Sequence, residues 1–384
     1  MSRAPHILLI IETSLAYGRG VLQGISRYVV AHRPWSMYLD QRELLAQPPA
    51  WLESWEGDGI ICRSTTRELA THIRRMHIPI VDLCDVYDDL GLPRISTNHH
   101  AVGQMAAAHL LERGFRQFAF CGFSGHDWSL RRRDGFLDAL REAGCECALF
   151  ESPWETTRDH SWEEQQQGIG DWLSQLPKPL GVLASNDLRG QQVLDACRRE
   201  DLAVPEAVAV IGVDNDDLLC GLCAPPLSSV ILNSQRVGYE AAAMLDRLMR
   251  ETPDEPPHLS IEPLGVMTRQ STDVLAIDDP LVASAVKYIR EHACQGIAVE
   301  DVLKHVPLSR SILEKRFRKF LKRSPQEEIR NVQLKRIKEL LAKTDLSLEQ
   351  IAHLAGYEHS EYMSVVFKRE VGQTPGNFRR VAQL

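Results

Sequence analysis

Long apolar runs are missing from this 384-residue sequence. The stretch Ile7 to Ile11 is far too short to span a bilayer, which needs about 20 apolar residues, and no cleavage signature follows it, so export and a membrane location are not expected. A disulfide framework is missing as well. The 9 cysteines are odd in number and scattered from Cys62 to Cys294, a usage that suits free thiols in a reducing cytoplasm. Cys145/Cys147 and Cys220/Cys223 have no nearby paired ligands to complete a metal site, and His99-His100 has neither a third ligand nor a nucleophile beside it. Gly18-Arg19-Gly20 with Gly24 departs from G-x-G-x-x-G spacing and has no acidic partner at the right distance. No metal and no cofactor is therefore expected, and an enzyme is only the runner-up class.

What is present is a helical pattern written twice, over residues 299–325 and again over 348–375. Glu300 pairs with Glu349, Val302 with Ile351, Phe317 with Phe367, Lys319 with Arg369, Ser324 with Thr374 and Pro325 with Pro375. The offset slips by one residue where a turn falls, and turns tolerate insertions. Each copy has a short apolar helix (Val299, Val302, Leu303, Val306; Leu348, Ile351, Ala352, Ala355), a breaker (Pro307 or Gly356) and a second helix. This is helix-turn-helix grammar.

In the first copy Ser309 is placed to cap a helix that buries Leu313, Phe317 and Leu321. Its free face carries Arg310, Ser311, Glu314, Lys315 and Arg318, groups able to donate to guanine, accept from cytosine or grip phosphate. In the second copy Met363 and Phe367 take the buried stripe, leaving Ser360, Glu361, Ser364 and Lys368 outward. Ser324-Pro325-Gln326-Glu327 is a capping box with proline at the first helical position, and it predicts a long helix from Pro325 to about Lys343. Ile329, Leu334, Ile337, Leu340 and Leu341 form its apolar stripe. A lone charged helix is more often a solvated face than a DNA reader; the duplication reverses that preference.

Charge supports the division. Residues 282–384 hold 9 Lys and 10 Arg against 12 Asp and Glu, a net of +7, whereas the whole chain stands at −8, leaving −15 on the first 281 residues. A basic end on an acidic globule suits a separate double-stranded-DNA-binding module.

The remaining residues show short β-rich apolar runs separated by helical stretches: 6–11, 59–62, 78–83, 117–121, 180–184, 208–213 and 229–232. Such alternation predicts parallel sheets, and the length predicts two lobes. Ligands of such sheets sit at the carboxyl ends of the strands. Loops there are polar: Glu12-Thr13-Ser14-Leu15-Ala16-Tyr17, Ser185-Asn186-Asp187 and Asp214-Asn215-Asp216-Asp217. Aspartates accepting from hydroxyls, an amide that donates and accepts, and an aromatic face would suit a sugar. Asn and Asp also simply make turns after strands, and any single one of them is as readily explained that way.

The duplicated segment resembles the DNA-binding domain of the arabinose-regulator (AraC) family over residues 281–382. The carriers are Leu308 to Phe317 in the first copy, and Ile351-Ala352, Gly356-Tyr357, Phe367-Lys368 and Gly372 to Pro375 in the second. That resemblance implies two recognition helices about one duplex turn apart, with Arg310, Ser311, Glu314, Lys315, Ser360, Glu361 and Ser364 toward bases. Val365 stands where the family often has a basic or polar residue.

Residues 5–272 are similar to the ligand domain of lac-repressor-type regulators and periplasmic sugar-binding proteins. The carriers include Arg132-Arg133-Asp134-Gly135-Phe136, Ser185 through Asp214, Ala224 through Val230, and Gly238 through Ala242. By that resemblance the effector lies between lobes, with Arg132, Asn186, Asp187 and Asp214 as ligand residues, Asn98 and Asp85 as further candidates, and Tyr17 or Trp128 as aromatic wall. The order of the two parts resembles the xylose-responsive regulators of enteric bacteria, which implies D-xylose as leading effector. The resemblance also implies a homodimer, with RNA polymerase as a possible partner of a cytoplasmic, nucleoid-associated activator.

The fold expected is thus an α/β two-lobed periplasmic-binding-protein-like domain (1–272), a short acidic joint (273–281) and an all-α domain with two helix-turn-helix units (282–384). Sensors of a nucleobase or another non-sugar metabolite share this architecture and stay open as the alternative.

Overall fold

A computed structural model describes residues 3–41, 50–63, 65–76, 78–84, 87, 90–154, 162–251, 255–274 and 279–382. The chain forms two units: Met1–Leu110 with Arg116–Val274, and Leu111–Phe115 with Leu275–Leu384.

In the first unit strands alternate with helices. The strands are β1 (His6–Ile10), β2 (Ser36–Asp40), β3 (Gly59–Cys62), β4 (Ile80–Asp82), β5 (Arg94–Thr97), β6 (Gln117–Phe123), β7 (Cys147–Ser152), β8 (Leu180–Ala184), β9 (Val208–Val213), β10 (Ser228–Ile231), β11 (His258–Ile261) and β12 (Gly265–Met267). The helices are α1 (Ala16–Ala31), α2 (Arg67–Met76), α3 (His99–Glu112), α4 (Asp127–Glu142), α5 (Trp162–Gln175), α6 (Asp187–Arg199), α7 (Asp217–Leu222) and α8 (Ser234–Leu248). Two six-stranded sheets result, ordered β11-β5-β4-β3-β1-β2 and β12-β10-β9-β8-β6-β7. Among the described residues only β10 with β12 pairs antiparallel; the other pairings run parallel.

Every apolar run read from the sequence is a strand, to within two residues at either end. Each lobe has its own core, around Leu8, Ile10, Ile60 and Ile73 in the first and Val182, Ala184, Val193 and Val210 in the second. The chain changes sheet after β5, after β10 and after β11. Backbone bonds tie these crossings together: Asn98 N–H donates to Ile261 O at 2.8 Å and Leu264 N–H to Ile231 O at 2.9 Å.

The glycines after β1 have a packing explanation. A Cβ at Gly24 would lie 1.9 Å from Gln235 O, and one at Gly238 1.9 Å from Val21 O, so α1 and α8 cross with their backbones in contact. Glycine is required there by close approach.

The second unit is all helical: α9 (Pro280–His292), α10 (Val299–His305), α11 (Arg310–Leu321), α12 (Pro325–Lys343), α13 (Leu348–Leu354), α14 (Ser360–Val371) and α15 (Pro375–Ala382). The capping box at Ser324 is formed, with Glu327 N–H donating to Ser324 Oγ at 3.2 Å and Ser324 N–H to Glu327 Oε2 at 2.6 Å. Ser347 and Gln350 repeat it. The stripe of α12 is shared between two cores: Ile329 joins Val302, Leu313 and Phe317, whereas Leu334, Ile337, Leu340 and Leu341 join Ile351, Met363 and Phe367. One rigid helix therefore carries both helix-turn-helix units. The turn after α13 is also pinned. Gly356 has φ +78°, and a Cβ there would lie 2.7 Å from Gly296 N and 2.9 Å from Ala293 O.

Two local expectations differ. Ser309 occupies the N-cap position of α11 but accepts no backbone N–H; its hydroxyl meets Ser311 Oγ at 3.3 Å instead. The all-α part begins inside the expected joint, because Asp279 caps α9, its Oδ1 accepting from Leu281 N and Val282 N at 3.1 and 3.3 Å, with Pro280 in the first turn. Residues 275–278 of that joint lie outside the described residues.

Candidate functional site

The carboxyl ends of β1, β3, β6, β8 and β9 place a set of buried polar groups together. Arg132 sits one turn beyond Trp128 on α4, so i, i+4 spacing puts both on one face, and its guanidinium carbon lies 4.9 Å from the Trp128 ring centroid. Its nitrogens donate to Ser185 O at 2.6 Å, His99 Nδ1 at 3.2 Å and Asp214 Oδ1 at 3.4 Å. Asp214 and Asn215 both hold positive φ, +109° and +51°. Such backbone is uncommon outside glycine, and it turns the Asp214 carboxylate back toward Arg132. About a quarter of the Asp214 side chain (25 %) is exposed. Burial raises its pKa above the usual carboxylate value, and Arg132 and Arg63 oppose that rise.

Beneath this loop lies Asp187. Its Oδ1 accepts from Ser229 Oγ at 2.6 Å and its Oδ2 from Asp216 N–H at 2.8 Å. Asp187 thus anchors the loop rather than presenting a free carboxylate. Burial first, and the Asp214 carboxylate second, push its pKa up to about 7. Asn186 caps α6, its Oδ1 accepting from Arg189 N–H at 2.9 Å. Asn98 is engaged at the lobe crossing, accepting from Ala101 N–H at 3.1 Å and donating to Glu262 Oε1 at 2.8 Å. Asp85 lies outside the described residues.

From the first lobe, Tyr17 is buried with its hydroxyl 3.0 Å from Thr97 Oγ1. Two further groups were not singled out in the sequence. Arg63, the residue after β3, pairs with Glu12 and stacks its guanidinium carbon 4.5 Å from the Tyr17 ring centroid; the rule that loops after strands bind ligands reaches it directly. Arg19 joins the lobes through Asp216 at 3.4 Å. The cleft retains unmatched polar atoms: Glu12 Oε2 and Ser185 Oγ are buried without a partner among the described residues. An acceptor on one lobe and a hydroxyl on the other are what a polyhydroxylated ligand can satisfy.

The second surface is on the helical unit. Leu313, Phe317 and Leu321 are buried in α11, leaving Arg310, Ser311, Lys315 and Arg318 exposed and Glu314 half-buried. On α14, Met363 and Phe367 are buried as expected, joined by Val366. Glu361 and Lys368 are exposed, Ser360 and Ser364 half-buried. Tyr362 and Val365 also point outward, 63 % and 64 % exposed. Arg310 bridges to Glu300 at 2.6 Å and Glu314 at 3.4 Å, pairs exposed enough to be exchanged for a phosphate or base.

Three family profiles tile the chain: one described as XylR N-terminal domain over residues 6–96, one as periplasmic binding protein-like domain over 107–272, and one as helix-turn-helix domain over 302–381. The xylose operon regulatory protein of Haemophilus influenzae is 32 % identical over 381 residues, covering 97 % of this chain and 97 % of the relative. The chain belongs to the xylose operon regulator family. Its Escherichia coli K12 member is likewise 32 % identical over 386 residues, 98 % of this chain and 97 % of that one. A solved structure described as the xylose-binding transcription activator XylR matches at 30 % identity and a TM-score of 0.63, covering 100 % of both chains. Two parallel-sheet lobes followed by a double helix-turn-helix unit is thus the architecture of this xylose operon regulator family member.

The raised pKa of Asp187 gives a pH signature. A carboxyl held above its unfolded value destabilises the fold in its ionised form; that effect is absent below about pH 4, grows toward pH 7 and is complete above it. The melting temperature of Asp187→Asn relative to the parent should therefore shift in the variant's favour as pH rises from 5 to 8. A difference independent of pH would show that Asp187 does not titrate in that range and that its pKa is not raised.

Proposed function

We propose that this protein is a D-xylose-responsive transcription regulator that activates a pentose-utilisation operon when sugar occupies the cleft between its sensor lobes. The observation that supports the effector class is the set of buried, unmatched polar atoms, Glu12 Oε2 and Ser185 Oγ, beside the paired Arg132 and Asp214. The names of the full-length relatives supply the sugar itself. The ligand residues are Tyr17, Arg63, Trp128, Arg132, Asn186 and Asp214, with Asp187 as loop support. Arg310, Ser311, Glu314, Lys315 and Arg318 read one major groove, and Ser360, Glu361, Ser364 and Lys368 the next. The regulator works on the nucleoid in the cytoplasm, as a homodimer in contact with RNA polymerase.

Sugar acts by closing the lobes, and it biases DNA binding only through its different affinities for open and closed forms, an effect of roughly 5- to 150-fold. No step of covalent chemistry is required of any of these residues. A cluster of rings, Phe123, His126, Trp128 and Trp154 with centroids 4.6 to 6.1 Å apart, supports the second reading, a planar nucleobase as effector.

A thermal-shift panel of pentoses, hexoses and nucleobases separates the two. D-Xylose at a hundred times its Kd should stabilise the sensor by about 2.7 kcal/mol. A shift with a nucleobase and none with any sugar would overturn the sugar reading, and turnover of the ligand would overturn the regulator reading.

A further inference from the structure

Arg189 heads the fully buried side chains of the sensor by size, and it is a cation. It lies in the first turn of α6, and its side chain runs toward the carboxyl ends of β6 and β7. There Nη2 donates to Ser152 Oγ at 2.7 Å, and the guanidinium carbon lies 3.9 Å from the Phe123 ring centroid. Nε and Nη1 are buried and have no acceptor among the described residues. Among the described residues no carboxylate pairs with it.

A guanidinium withdrawn from water with two nitrogens unmatched is strongly unfavourable, and a purely structural position would be better filled by methionine or leucine. The surroundings show where the missing acceptors come from. Ser152 ends β7 and Phe123 ends β6, on the same sheet edge from which Ser185 and Asp214 project. Trp154 and Trp128 stand 4.6 and 6.1 Å from Phe123, ring centroid to ring centroid. The backbone of Arg189 is itself fixed by the Asn186 cap.

We infer that Arg189 is an effector-binding residue, its Nε and Nη1 donating to oxygens of a bound sugar whose C–H faces lie against the neighbouring aromatic rings. This rests on the sugar-sensor reading above. It goes beyond the residues the sequence nominated, and it makes the floor of the second lobe a determinant of which sugar is accepted. A sugar lacking the matching hydroxyl leaves a buried charged donor unpaired, and discrimination by such groups is steep.

The test is titration calorimetry of the full-length protein with D-xylose, using the parent, Arg189→Met and Arg189→Lys, together with melting temperatures in the absence of sugar. Arg189→Met should weaken Kd by about 10- to 100-fold, the range of a hydrogen bond to a charged group. Its sugar-free melting temperature should be unchanged or higher, because an unmatched buried charge has been removed. Arg189→Lys, which keeps the charge but not the planar set of donors, should bind weakly too. Parent-like affinity in Arg189→Met would overturn the inference alone, as would a variant that melts lower and binds weaker in step, the behaviour of a structural residue. A parent protein that binds no D-xylose would overturn the xylose assignment and this inference with it.

Discussion

Asp214→Ala is expected to abolish the sugar response while leaving DNA binding at its sugar-free level. The carboxylate faces Arg132 at 3.4 Å in a site where Arg132 is almost fully buried, so its removal takes away a charged acceptor for ligand hydroxyls and leaves the guanidinium without its counter-charge. Each effect is worth about 1.5 to 3 kcal/mol, so D-xylose affinity should fall on the order of 100-fold. Alanine at φ +109° is itself strained. Asp214→Asn, a residue that tolerates positive φ, isolates the loss of charge and should give a similar defect. Promoter gel shifts with and without sugar read both quantities. Loss of sugar-free DNA binding in both variants would refute the division of labour between sensor and helical unit.

The second large effect is in the other unit. Phe317 is fully buried among Val302, Leu313, Leu321 and Ile329, and Phe317→Ala should destabilise that core by about 3 to 5 kcal/mol. The first helix-turn-helix unit would then lose its fixed geometry, and operator affinity should drop at least 100-fold. D-Xylose should still raise the melting temperature of the sensor in the same variant. A sensor that no longer responds to sugar would show that its fold depends on the first helix-turn-helix core.

These two units differ in how much of them is legible in sequence. Helix ends in the second unit follow from local chemistry: Ser324, Pro325 and Glu327 fix the start of α12 within one turn, and the heptad-like stripe from Ile329 to Leu341 fixes which side is buried. The sensor strands that are continuous apolar runs, such as β8 and β9, are equally plain. Those that escape notice are short or mixed. β2 is an edge strand with exposed residues, while β5 (Arg94-Ile95-Ser96-Thr97) is polar in sequence yet buried because it lies inside the sheet, between the preceding strand β4 and β11, which comes from far along the chain.

The same distinction holds for the cleft. Arg132 and Asp214 stand out by motif, whereas Asn186, Asn98 and Asp187 fit ligand and turn or cap roles equally well in sequence, and only their partners in the fold decide between them. Arg63 is marked only by its place just after β3, and Arg189 reads as an ordinary charged residue. Only contacts separated by tens of residues, Arg63 with Glu12 and Arg189 with Ser152, show that they point inward.

The backbone contact of Gly356 with Gly296 and Ala293, together with the shared helix α12, makes the DNA-reading end a calliper of fixed gauge. Inserting a single base pair between its two target stretches would advance one by 3.4 Å and rotate it by about 35° relative to the other. A jointed pair of readers would follow that change; this one cannot without wedging apart its own turns, so the misfit must be taken up by bending or twisting the DNA. Promoters under its control are therefore constrained in phase as well as in letters.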